Sequence, residues 1–111
     1  MESILTSVKK MLGITEEYEH FDPELIMHIN SVFTILNQLG IGPSEPFFIT
    51  SKDAVWSDFI QEGDIEAVKT YVFLRVKLIF DPPTSSAVQQ SYQETFKELE
   101  WRMNVMAEGK K

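Results

Sequence analysis

Four residues near the start of the chain have the right types to do chemistry. His20, Asp22, Glu24 and His28 crowd into nine positions. Glu24 and His28 are spaced to share one face of a helix, where an imidazole and a carboxylate can meet a metal ion. A metal site needs a third and a fourth ligand in defined geometry, and no further His or Cys is available nearby. Helix capping by Asp22 and dipole compensation by Glu24 account for the same residues more simply. Carboxylate pairs such as Glu16 with Glu17, or Glu98 with Glu100, resemble an acid and a base. A working pair needs burial that drives the two pKa values apart, and these lie in polar stretches that read as solvated. His20 and His28 are the only bases available to a serine nucleophile, and no Gly-x-Ser-x-Gly turn accompanies them. Gly40-Ile41-Gly42 follows a helical pattern, not a strand, and does not continue as a dinucleotide fingerprint. The reading is therefore no enzyme, no cofactor and no metal.

The totals narrow the class further. The 111 residues suit one domain, spanning 1–111, with a core over about 3–106 and a frayed tail at 107–111. Hydrophobic residues form 43% of the chain, an ordinary globular share. Without cysteine there are no disulfides, thiolate nucleophiles or sulfur-bound zinc. Seventeen acidic residues outweigh ten basic ones, for a net charge of −7. Tight phosphate binding needs clustered Lys and Arg, so gripping nucleic acid is not expected. No apolar run matches a membrane span, and Met1-Glu2-Ser3-Ile4 lacks the basic start of a secretory signal. The expected compartment of synthesis is a cytosol.

Helical spacing dominates the pattern and predicts an all-α bundle of about four to five helices. Ile4, Leu5, Val8, Met11 and Leu12 form one face of a first helix, which Gly13 stops. Asp22 is expected to cap a second helix, with Pro23 in its first turn and Phe21 and Ile26 spaced as a hydrophobic staple. Its apolar face is Leu25, Ile29, Val32, Phe33 and Leu36, and Gly40 ends it. A long Gly/Pro loop, 40–52, leads to the central helix. Phe47-Phe48-Ile49 within it could be a short strand, with no evident partner. Asp53 is placed to cap a brief helix holding Val55, Trp56, Phe59 and Ile60, broken at Gly63.

Asp64 is expected to cap the strongest helix. Ile65, Val68, Val72, Val76 and Ile79 line one side, and Tyr71, Leu74 and Leu78 a second. So wide an apolar arc belongs to a central helix with several neighbours. Pro82 and Pro83 stop it, and Asp81 before a proline is biased away from helix. Ser86 with Gln89 reads as a capping box for the last helix, whose core residues are Tyr92, Phe96, Leu99, Met103 and Met106. Glu98 precedes Arg102 by one turn in the favourable order, and helicity should fray near Gly109.

Three features point to surfaces. The back of the second helix carries Met27, Asn30, Ser31, Thr34, Asn37 and Gln38, with no Lys, Arg, Asp or Glu from Leu25 to Ser44. Uncharged polar groups suit a contact that need not desolvate ions, although a plain neutral exposed face gives the same pattern. Arg75 sits between the two apolar sides of the central helix, able to snorkel to water or to reach a carboxylate on another element or another subunit. Phe73 falls instead in the polar stripe of Glu66, Lys69, Thr70 and Lys77, as a lone exposed apolar group or a partner's anchor. Trp101 opposes Leu99 on the wheel, outside the expected core, and tryptophan is enriched at binding hot spots.

The run Ala67-Val68-Lys69-Thr70-Tyr71-Val72-Phe73-Leu74-Arg75-Val76-Lys77-Leu78-Ile79-Phe80-Asp81-Pro82-Pro83-Thr84-Ser85-Ser86 resembles the head–tail connector proteins of long-tailed bacteriophages and prophages. Ile29-Asn30-Ser31-Val32-Phe33, Leu36 to Gly42, Trp56-Ser57-Asp58-Phe59 and Glu98 to Asn104 are similar too. The likeness covers nearly the whole chain in the same order, and Asp-Pro-Pro-Thr-Ser-Ser is its most specific part. It implies a helical structural protein of the virion, made in the bacterial cytoplasm. It further implies a homo-oligomeric ring of about twelve copies on the portal. Such a ring extends the DNA channel without sequence-specific binding and docks the stopper or tail. The family brings no catalytic residue, so Met27, Asn30, Ser31, Thr34, Asn37, Gln38, Phe73, Arg75 and Trp101 stand as candidate subunit or portal contacts. The alternative is a small acidic helical regulator that binds one host or phage protein one-to-one.

Overall fold

A computed structural model describes residues 2–60 and 65–109, with side chains through residue 105. Among the described residues there are five helices and no strand: α1 (Ile4–Met11), α2 (Asp22–Gln38), α3 (Trp56–Phe59), α4 (Ile65–Phe80) and α5 (Ser86–Gly109). The all-α expectation holds. Gly63, Asp64 and the side chain of Met106 lie outside the described residues. None of the helices described is long and apolar enough to cross a membrane.

α4 is the central element, packed against α1, α2 and α5. Val68, Tyr71, Val72 and Val76 are fully buried along it. α2 contributes Leu25, Ile29, Val32, Phe33 and Leu36 to the same core, and α1 adds Ile4, Leu5 and Val8. α5 adds Phe96 and Met103. Burying side chains of this size contributes about 2 kcal/mol each.

The sequence Leu-Gly-Ile ends both α1 and α2, and it does so in the same way. Gly13 has φ +79° and Gly40 φ +82°, the left-handed region that glycine enters without strain. Ile14 N–H donates to the Lys9 carbonyl, and Ile41 N–H to the Leu36 carbonyl, both at 2.9 Å. Gly13 and Gly40 donate to the carbonyls of Lys10 and Asn37. Both ends are Schellman motifs, and each isoleucine closes the turn against the core.

Several local expectations need correction. Asp22 does not cap α2, which begins behind Phe21 with no side-chain cap. The Asp22 carboxylate turns instead to the buried Lys9 ammonium, 2.9 Å away. The contact is an ionic one, not a well-directed hydrogen bond, since Oδ1 has no such partner. Phe21 packs edge-on against Phe80, with ring centroids 5.1 Å apart. That contact closes this end of α4, leaving Ile79 exposed, and Met11 is likewise exposed in the last turn of the short α1. α3 is capped from inside by Asp58, whose carboxylate accepts from Val55 N–H at 3.0 Å, so Asp53 is not its cap. It ends at Phe59, with Ile60 already extended. Ser85, not Ser86, caps α5. Its Oγ accepts from Val88 N–H at 3.4 Å, and the Gln89 amide reaches back to the Pro83 carbonyl at 2.7 Å. Two adjacent serines are equally competent caps, and the return of Gln89 to Pro83 belongs to the earlier one.

Lys9 is only 2% exposed. Besides Asp22 it donates to the Glu16 carbonyl at 2.9 Å, tying α1, the following turn and α2 together. Removing one member of a buried pair leaves the other charge uncompensated, at a cost of about 3 kcal/mol. Lys9→Met is therefore expected to lower unfolding free energy by about that amount in urea titration. Adding Asp22→Asn should recover part of the loss, because no charge then stays stranded. An unchanged midpoint for Lys9→Met would show that the pair contributes nothing.

Candidate functional site

Arg75 occupies an apolar arc of α4, and the structure shows why a charge is tolerated there. Its guanidinium lies over the Phe96 ring at 4.5 Å and the Tyr71 ring at 5.3 Å. Nη2 donates to Glu100 at 3.0 Å, and Nε donates to the Tyr71 hydroxyl at 3.2 Å. The Tyr71 hydroxyl in turn donates to the same Glu100 oxygen at 2.5 Å. The carboxylate that Arg75 reaches is thus on another element of its own chain. Burial pushes the Tyr71 phenol up to about 12, with the Glu100 hydrogen bond adding to the shift and the Arg75 charge opposing it.

Phe73 is half-buried and meets the Trp56 ring edge-on at 6.0 Å. Trp56 is itself buried, donating from Nε1 to Ser7 Oγ at 3.1 Å. Lys69 stands 5.9 Å from the centroid of the same indole and pairs with Glu2 at 3.0 Å. The polar stripe drawn from the helical wheel is therefore covered in part by α3. A four-residue helix with no periodicity of its own gives no signal that it will lie there.

The uncharged back of α2 divides into two parts. Asn30 and Asn37 face the chain's own 40–52 loop. The Asn30 amide pairs with both backbone groups of Ile49, accepting from N–H at 2.8 Å and donating to C=O at 3.0 Å. Asn37 donates to the Pro43 carbonyl at 3.4 Å. A side chain thus takes the part of the neighbouring strand for Phe47-Phe48-Ile49. Phe47 packs on Phe33 and Phe59 below. Gly42 lets the loop approach, since a Cβ there would meet the Phe59 ring at 2.5 Å. Met27, Ser31, Thr34 and Gln38 remain exposed. Ser31 and Thr34 direct their hydroxyls to the Met27 and Asn30 carbonyls, both at 3.1 Å, so neither donor requires an outside partner.

Trp101 is 68% exposed, and Val105 one turn on is exposed as well. Glu98 and Arg102 pair beside them at 2.8 Å. On α2, Glu24 and His28 approach to 3.5 Å. Among the described residues no three His, Asp or Glu side chains converge as a metal ion would require.

Helices held by internal ion pairs leave Met27, Val88, Trp101 and Val105 facing outward. A family model described as Phage connector protein matches residues 4–110, and the chain belongs to that family. Its place is accordingly the head–tail junction of the virion, in a connector role. Searches of curated proteins and of solved structures each return no significant match.

The Tyr71 geometry has a measurable consequence. A phenol raised from 10.0 to about 12 favours the neutral form in the fold. Its contribution to stability is fully present below the unfolded value and is lost as pH rises through that window. In an absorbance titration, one of the three tyrosines should ionise with a midpoint of about 12. Tyr71→Phe should remove that phase. Survival of the phase in the variant would assign it to another residue.

Proposed function

We propose that this chain is the subunit of a homo-oligomeric ring seated beneath the portal, where it extends the DNA channel and docks the stopper or tail. The family match over residues 4–110 carries the reading. Two physical features support it. A closed ring needs two different contact faces on each subunit. The chain offers uncharged residues on α2 and an exposed Trp101 on α5. A channel through which DNA moves must also avoid holding it, and a chain of net charge −7 repels phosphate. Assembly on the portal, with weak contacts summed over many copies, is then a matter of avidity.

The test is the mass and image symmetry of this protein mixed with the portal ring from the same genome. A portal-bound ring of about a dozen copies is expected. No binding to an intact portal would favour the one-to-one regulator. Trp101→Ala should weaken ring assembly or portal docking by about tenfold while circular dichroism of the monomer stays unchanged. Unaltered assembly would remove Trp101 from the contact surface.

A further inference from the structure

The distribution of charge along the chain is uneven in a way that bears on how copies meet. Besides 25–44, a second stretch, Pro82 to Gln93, contains no Asp, Glu, Lys or Arg. It comprises the turn after α4 and the first two turns of α5. Residues 84–91 are all exposed, Val88 among them at 40%. From Ser86 to Ser91 α5 is exposed, Tyr92 is the first residue of the helix to pack on the core, and the α4–α5 packing is carried further along by Phe96, Glu100 and Met103. An exposed helical surface without charge is unusual in a chain with seventeen acidic residues.

Two copies of an acidic chain repel unless the contact excludes their carboxylates. The exposed back of α2 and the start of α5 are the two described helix faces that meet this condition. They lie on different helices, and α4 stands between those helices, packing against each. The two faces are thus distinct patches of one subunit. A surface that must meet itself would make a two-fold dimer, whereas two distinct patches give a head-to-tail contact that can close into a ring. The hydroxyls of Ser31 and Thr34 are already satisfied within α2, so covering them strands no donor. Met27 on one side and Val88 on the other supply apolar area for the contact.

We infer that the contact between neighbouring copies pairs the back of α2 in one subunit, at Met27, Ser31 and Thr34, with the start of α5 in the next, at Ala87, Val88 and Gln90. This rests on the ring reading above and names its interface.

The experiment compares four full-length proteins on the portal ring: wild type, Thr34→Lys, Gln90→Glu and the double variant. All are checked for helicity by circular dichroism, and both positions are exposed enough to tolerate the change. Each single substitution sets an unmatched charge against a neutral patch and should lower assembly about tenfold. In the double variant every contact sets a lysine against a glutamate, and most of the assembly should return at low salt and fade at high salt. Wild-type assembly by either single variant would overturn the pairing. So would a double variant as impaired as the two singles together, which would mean that the patches meet different partners. If the wild type itself fails to form a ring on an intact portal, the ring reading falls first and this interface with it.

Discussion

α5 runs for 24 residues and its main packing is against α4, so what it displays depends on that join. That join is the Arg75 node. Phe96 and Met103 supply apolar burial, but apolar contact alone is non-directional and would let a long helix slide or roll. Arg75 fixes the register, because its planar head must lie on Phe96 while reaching one Glu100 oxygen that Tyr71 also uses. Three polar groups share one set of hydrogen bonds, and none of them is left stranded in the interface. The orientation of Trp101, one residue beyond Glu100, and of the free first turns of α5 follows from that register.

The same device recurs where α1 meets α2. Lys9 is a buried cation that holds the turn after α1 through Glu16 and the start of α2 through Asp22. Asn30 is its neutral counterpart, satisfying both backbone groups of Ile49 so that an irregular loop can lie against the core. In each case a polar side chain inside the fold organises backbone that no regular element supports. These are specificity contacts, and their energetic weight lies mostly in what breaking them would leave unpaired.

The elements themselves were legible wherever burial followed helical periodicity. Ile29, Val32, Phe33 and Leu36 were placed in the core by spacing alone, as were Val68, Val72 and Val76. Gly13 and Gly40 were legible as helix stops because their conformation is nearly exclusive to glycine. What failed was anything set by a partner distant in sequence. Asp22 has the chemistry of a cap, but a lysine thirteen residues earlier competes for it. Phe73 reads as exposed on an isolated wheel and becomes half-buried once α3 lies across it. Arg75 is anomalous on the wheel, and a carboxylate on another element is one of the partners its position allows, while nothing in the spacing picks out Glu100. Asn30 and Asn37 share their face with Ser31 and Thr34 in the sequence, and only the path of the 40–52 loop separates the residues that hold it from those left free. The charge-free run from Pro82 to Gln93 was open to inspection all along. Of its side chains only Tyr92 belongs to the core face of α5, so helical periodicity assigns the rest no role.

Partition of charge is what connects this fold to the proposed ring. A subunit of net charge −7 cannot crowd against copies of itself through its average surface, because repulsion grows as neighbours accumulate around a closed circle. Fourteen of the seventeen carboxylates fall in three stretches, Glu16 to Glu24, Asp53 to Glu66 and Glu94 to Glu108, which leaves 25–44 and 82–93 free of them. Those faces can approach without desolvating ions, while the acidic regions stay in solvent or face the channel. The same segregation serves both demands on such a ring, close lateral packing and a wall that does not hold DNA. It also explains why the internal cations, Lys9 and Arg75, are committed within the chain. A free cation at either place would offer an acidic neighbour a competing and less specific contact.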